Sequence, residues 1–257
     1  MTGRGSAILD AMIGFIPIIA TIALWQAVVM AGVAPPALLP APGTVFARFL
    51  QQIVSPAYLE HAYITLYRLF FGFAIAVAAG IAFGILMTGS QAVAAIVRPL
   101  VRVLAPVPKI ALYPAFTLTL GYDDASKIAL VIADALFPIL LSTYQGASAV
   151  EPKLAWSARA MGLSPLKTLF RVVLPAAMPS VLTGCRIGLI ISCIVVFLAE
   201  MIPSTDGLGH LLMRAARNFQ TVDMFVPLIT ISILGLLLNA GFNALRRHLL
   251  RGFAEEK

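Results

Sequence analysis

The stretch EPKLAWSARAMGLSPLKTLFRVVLP, residues 151–175, is a polar and basic interruption in an otherwise apolar chain. Pro152 suits the first turn of a helix. Leu154, Ala155, Ala158 and Met161 recur at three- and four-residue spacing, which predicts a short amphipathic helix. Gly162 can close it in the left-handed conformation. Ser164-Pro165 opens a second short helical segment, with Lys167 and Arg171 beside Leu166, Phe170 and Val173, and Pro175 is expected to stop it. The stretch therefore reads as two short helices joined at a hinge. An apolar helix face outside a core needs either a partner groove or a lipid surface, and the pattern alone leaves both open.

Apolar runs flank this stretch on both sides. Runs of about 20 apolar residues read as membrane helices, because lipid cannot satisfy exposed backbone groups. On the N-terminal side, spans are expected at about 126–144, 92–120, 62–87 and 11–30; on the C-terminal side, at about 181–202 and 225–245. The run 92–120 stands apart. It carries Pro99, Pro106, Pro108 and Pro114 with Arg98, Arg102 and Lys109, so it should face protein or a wet cavity. Gly80-x-x-x-Gly84 permits close helix approach. A Pro/Gly-rich stretch, 32–43, separates the first run from a short amphipathic helix at 44–53 with Thr44 as N-cap, expected at the interface. Arg4 before an apolar run resembles a signal peptide, but the run is long enough to span and lacks a clear cleavage site, so a retained span is expected.

Composition agrees. The chain has 257 residues, 60% hydrophobic and 11% charged, with mean hydropathy +0.96. A soluble domain carries about 25% charged residues, so lipid must solvate much of this surface. The formal charge of +7 falls between and after the apolar runs. That fits positive-inside orientation and argues against nucleic-acid binding. With six spans and both termini cytoplasmic, eleven Lys and Arg lie inside, mostly in the 145–171 loop and the basic tail, against Arg48, Lys127, Arg214 and Arg217 outside. Cys185 and Cys193 are spaced for neither a metal nor a disulfide framework, and His61, His210 and His248 stand scattered, so no metal site is expected.

The 151–175 stretch resembles the cytoplasmic signature loop of binding-protein-dependent ABC importer permeases: Glu-Ala-Ala, three residues, Gly, nine residues, then Ile-x-Leu-Pro. Here Trp156-Ser157-Ala158, three residues, Gly162, nine residues and Val172-Val173-Leu174-Pro175 keep the spacing, while Trp156 and Ser157 replace the first two residues of the pattern. Leu39-Pro40-Ala41-Pro42, the Pro106–Pro114 run, Ala199-Glu200 and Gly207-Leu208-Gly209 are similar to the nitrate/sulfonate/taurine-type branch.

The resemblance implies an all-α integral membrane fold of the type I importer permease kind, six transmembrane helices with a cytoplasmic coupling-helix loop, in one permease domain over 1–257. It implies a non-catalytic subunit of a bacterial inner-membrane importer for a small anion or small polar organic molecule. The expected partners are a second copy of the permease, two ABC ATPase subunits, a periplasmic binding protein and membrane lipid. No cofactor is expected on this chain; ATP and Mg belong to the ATPase, and the chain has no Gly-x4-Gly-Lys-Ser/Thr run. The ATPase contact is expected at Leu154, Trp156, Ser157, Ala158, Met161, Gly162 and Pro175.

Charges within the spans are functional candidates by default. Glu200 either lines the path or pairs with Arg68 or Arg186, with structural pairing preferred. Asp134 is expected to pair with Lys109, and Arg68 either pairs or snorkels to the interface. Tyr113, Phe116 and Thr117, beyond the proline cluster, are candidate path-lining residues. Two rivals are weighed: a secondary transporter, which should show broken helices in matching halves, and a membrane enzyme, which should gather catalytic groups at one depth.

Overall fold

The computed structural model describes residues 4–35 and 37–251, with side chains from Ile16 onward. The described residues are helical, with no strand among them. Four helices are long and apolar enough to cross a membrane: α3 (Pro56–Gly89), α6 (Asp124–Ala149), α10 (Met178–Met201) and α12 (Thr221–Leu249). The first helix, α1 (Arg4–Met30), has a shorter apolar part at Ile16–Met30. The expected first span over 11–30 thus falls partly on side chains outside the description.

The proline-rich run 92–120 is three pieces: α4 (Gln91–Leu104), a 3-10 turn at Lys109–Leu112, and α5 (Tyr113–Leu120). Ser90 caps α4 by accepting from the Val93 N–H. The break falls where Pro106 and Pro108 cannot supply backbone donors. The amphipathic helix α2 (Pro42–Gln52) corrects one expectation: it starts before Thr44, capped by Ala41 without a side-chain bond, because Pro42 presets the first turn.

The chain divides into two compact units, Met1–Leu59 with Leu211–Thr230, and Glu60–His210 with Ile231–Lys257. In the first, Trp25 donates to the Pro40 carbonyl at 3.1 Å and stacks on Phe225 at 5.2 Å. The Arg48 guanidinium meets the Asp223 carboxylate at 2.6 Å, which holds Arg48 above its ordinary value.

In the second unit, small residues set the helix register. A β-carbon at Gly72 would lie 2.7 Å from Val131, at Gly80 2.8 Å from Ile139, and at Gly84 2.6 Å from Thr143. The numbers rise together, so α3 and α6 run parallel. Gly146 meets Ser180, Gly184 meets Ser142 and Gly188 meets Ile139, so α6 and α10 run antiparallel. Their shared core holds Leu69, Leu130, Val131, Leu189, Val196 and Ala199 toward one end, and Ile139, Ala147, Val181 and Cys185 toward the other. With little hydrophobic drive between helices in lipid, this close approach supplies the packing.

Candidate functional site

The two ends of the α3–α6–α10 bundle carry different chemistry. At the loop end, α7 (Pro152–Ala160) starts with Pro152 at its first turn. It closes in a Schellman turn: the Gly162 N–H donates to the Arg159 carbonyl at 2.9 Å and the Leu163 N–H to Ala158 at 3.2 Å. Gly162 has φ +87°, as a glycine in that position requires, and a β-carbon there would meet nothing within 4 Å. Ala158 is buried and α7 packs on the following segment. Leu154, Trp156, Ser157 and Met161 are exposed, as are Leu166 and Phe170; Trp156 is 65% exposed.

After α8 (Pro165–Thr168), capped by Ser164, the chain widens into a π-helical turn at Leu169–Val173 and continues as α9 (Leu174–Ala176). Pro175 therefore does not stop the segment, which corrects the expectation. A proline ring clashes with the carbonyl four residues earlier, that of Arg171, and the widened turn contains that carbonyl. Leu169 reaches back to the end of α3, where a β-carbon on Gly89 would lie 2.2 Å from its Cδ1.

At the other end, Arg68 of α3 is buried among three carboxylates. Its Nε donates to Asp124 Oδ1 at 2.7 Å, Nη1 to Glu200 Oε1 at 2.9 Å, and Nη2 to Asp206 Oδ1. Glu200, fully buried, also accepts from the Gly209 N–H at 3.1 Å and from the Thr65 hydroxyl at 2.8 Å. That hydroxyl accepts the Leu208 N–H at 2.9 Å. Lys127, buried beside them, donates to the Tyr122 carbonyl at 2.5 Å. Asp206, in the turn after α10, feels partial burial that raises its carboxyl. The Arg68 hydrogen bond and charge, with the Lys127 charge, outweigh this and hold it below the usual carboxylate range.

Gly207 has φ +96°, and a β-carbon on it would lie 2.2 Å from Glu200 Cδ; one on Gly209 would lie 2.3 Å from the Phe197 carbonyl oxygen. The Gly-Leu-Gly run is thus the shape that lets backbone N–H groups close over a buried carboxylate. Buried ions persist only when paired and hydrogen-bonded, and this arrangement meets both conditions. It ties three helices and a turn together.

Of the two arginines offered to Glu200 by the sequence, the structure gives it Arg68, buried rather than snorkelling. Arg186 instead donates from Nε to Asn239 Oδ1 at 2.9 Å, and no carboxylate pairs with it among the described residues. Lys109 and Asp134 lie 3.5 Å apart, with the Lys109 ammonium also on the Ala105 carbonyl and over the Phe137 ring. Tyr113, Phe116 and Thr117 share the face of α5 turned to the core, Tyr113 and Thr117 buried and Phe116 half-buried.

Sequence reading passed over Thr65, Asp124 and Asp206, since acids flanking apolar runs look like ordinary loop acids. It also set His61 and His210 apart as scattered, whereas their rings stack at 6.0 Å and His61 Nδ1 accepts the Gly207 N–H at 3.0 Å.

Known proteins agree with this architecture. A solved MetNI methionine ABC transporter, in an inward-facing conformation, matches with TM-score 0.65 at 19% identity, covering 73% of this chain and 93% of that one. An amino acid ABC transporter matches with TM-score 0.59 at 19% identity, covering 79% and 97%. At that identity the likeness speaks for the fold. Closer in sequence is the permease protein SsuC of Bacillus subtilis strain 168, whose name refers to aliphatic sulfonates: 33% identical, over 90% of this chain and 83% of that protein. The taurine transport system permease protein TauC of Escherichia coli K12 is 31% identical over 92% and 87%. The formylaminopyrimidine transport permease protein ThiX of Halalkalibacterium halodurans is 30% identical over 82% and 83%. Residues 76–255 match the family described as "Binding-protein-dependent transport system inner membrane component". With a match across most of the chain and relatives above 30% identity along nearly their full lengths, the chain belongs to that family of ABC transporter permeases.

Proposed function

We propose that this chain is the membrane-spanning permease subunit of an ATP-driven importer for a small organic sulfonate such as taurine. Two copies line one path, two ATPase subunits bind the 151–175 loops, and a periplasmic binding protein delivers the solute. The chain is one permease domain with six spans, α1 and the α4–α5 pieces completing the four long helices, and both termini are cytoplasmic in a bacterial inner membrane. It catalyses nothing and holds no cofactor; ATP and Mg act in the ATPase.

One observation carries this reading: α7, fixed by the Gly162 turn, leaves Leu154, Trp156 and Met161 uncovered at the end of the bundle opposite the Arg68–Glu200 cluster. Exposed apolar side chains on a rigid helix suit a groove in a partner. The secondary-transporter and enzyme readings have no such feature to explain and do not fit the family.

Uptake of taurine by the reconstituted permease, ATPase and binding protein tests the whole reading. It should require internal ATP; uptake driven by an ion gradient alone would overturn it. Orientation is tested by single cysteines at Ser148 and Thr205, both exposed. In spheroplasts an impermeant thiol reagent should label Thr205→Cys and spare Ser148→Cys.

A further inference from the structure

Arg68 of α3 and Arg186 of α10 differ in what neutralises them. Arg68 has three carboxylates. Arg186 has none within ion-pair distance among the described residues: Asp124, Glu200 and Asp206 are on Arg68, and Asp134 is on Lys109. Arg186 is the ninth residue of α10, about 12 Å along the helix from its first residue. It is half-buried, at the margin between the buried Leu182, Cys185 and Leu189 and the exposed Thr183, Ile187 and Ile190. A cation kept in a membrane span without a counter-ion is costly, which marks a functional position.

The local geometry leaves donors unused. A guanidinium has five N–H groups, and Arg186 uses the Nε one on Asn239 Oδ1, leaving the four of its Nη edge. That bond occupies one lone pair of the Asn239 carbonyl oxygen, and the amide –NH2 beside it is left to donate. A guanidinium edge beside an amide –NH2 matches a compact oxyanion, which accepts paired hydrogen bonds.

We propose that Arg186, oriented by Asn239, is the station within the membrane at which the anionic head group of the solute is held during passage. The class is a small organic sulfonate, which brings the counter-ion that the described residues do not. The identity of the solute rests on the importer reading above; the unused donors at Arg186 do not.

Two measurements separate those questions. In the first, the purified full chain is unfolded thermally with methanesulfonate or with chloride at equal ionic strength. Methanesulfonate should raise the midpoint of the wild type and not of Arg186→Gln. Asn239→Asp should raise the midpoint without any anion, because it supplies the missing counter-ion, and should abolish the methanesulfonate shift. An equal shift in all three proteins would overturn the station.

In the second, the complete complex takes up taurine in proteoliposomes. Losing charge-assisted hydrogen bonds should cut uptake at low taurine by about tenfold or more in Arg186→Gln and Asn239→Asp. Arg186→Lys should fall between. Wild-type uptake in Asn239→Asp would also overturn the station while leaving the importer reading intact. A complex that takes up no taurine, with the methanesulfonate shift still present, would overturn the solute reading and leave the station.

Discussion

Gly162 and Gly207 both turn the chain with positive φ, +87° and +96°, at opposite ends of the same three helices, yet they do so for different reasons. At Gly207 a side chain has no room, because the turn is pressed against the Glu200 carboxylate. At Gly162 a side chain has all the room it needs within this chain, and only the backbone conformation asks for glycine. One end of the bundle is closed on itself, with Arg68 and Glu200 partnered by each other and by their neighbours. The other end is conformationally fixed and leaves its apolar side chains uncovered. Closed packing signals a structural tie; fixed but uncovered apolar surface is open to a partner groove or to lipid.

The strongest way to break this comparison is to remove the cation from the closed end. Arg68→Leu strands the fully buried Glu200 and should destabilise the chain by about 3–5 kcal/mol, seen as a large drop in unfolding midpoint and in monodisperse yield. Gly207→Ala comes next: left-handed strain plus collision with Glu200 should cost about 1–3 kcal/mol. Gly162→Ala, strained alike but unobstructed, should cost only about 1 kcal/mol, so equal midpoints for these two alanine variants would break the comparison.

The open end is probed by function rather than by stability. Gly162→Val should insert and fold, yet lose ATPase binding or the coupling of hydrolysis to uptake; normal ATP-driven transport by this variant would falsify the coupling role proposed for the loop. Trp156→Ala should leave the unfolding free energy within about 0.5 kcal/mol of wild type, because the indole is 65% exposed, and should weaken co-purification of the ATPase. An intact complex would place the indole on the lipid surface instead.

The smallest expected effect is acid sensitivity at the closed end. The Asp206 carboxyl sits below its unfolded value, so its contribution is fully present above about pH 3.9 and fades as pH falls through the lower folded value. The unfolding midpoint of wild type should therefore decline below about pH 4 more steeply than that of Asp206→Asn.

The helices and the hinge were legible because they are local. Apolar runs, Pro152 at a helix start and Gly162 at a helix end act through neighbouring residues, and the spacing from Gly162 to Pro175 survives without any knowledge of packing. Some local signals misled: Thr44 lost the cap to Pro42, and Pro175 was absorbed by a π turn, since backbone groups found other partners. What the sequence could not decide was which charge meets which. Glu200 had two arginines to choose from, and Arg68 and Glu200 are 132 positions apart. Their pairing depends on the first half of α3 and the end of α10 lying level with the start of α6, a register fixed by small residues packing between helices. Likewise, a lone arginine in an apolar run looks the same whether it is surrounded by acids or by one amide. Only the tertiary arrangement separates Arg68 from Arg186, because the cost of burying a charge is set by neighbours brought from elsewhere in the chain.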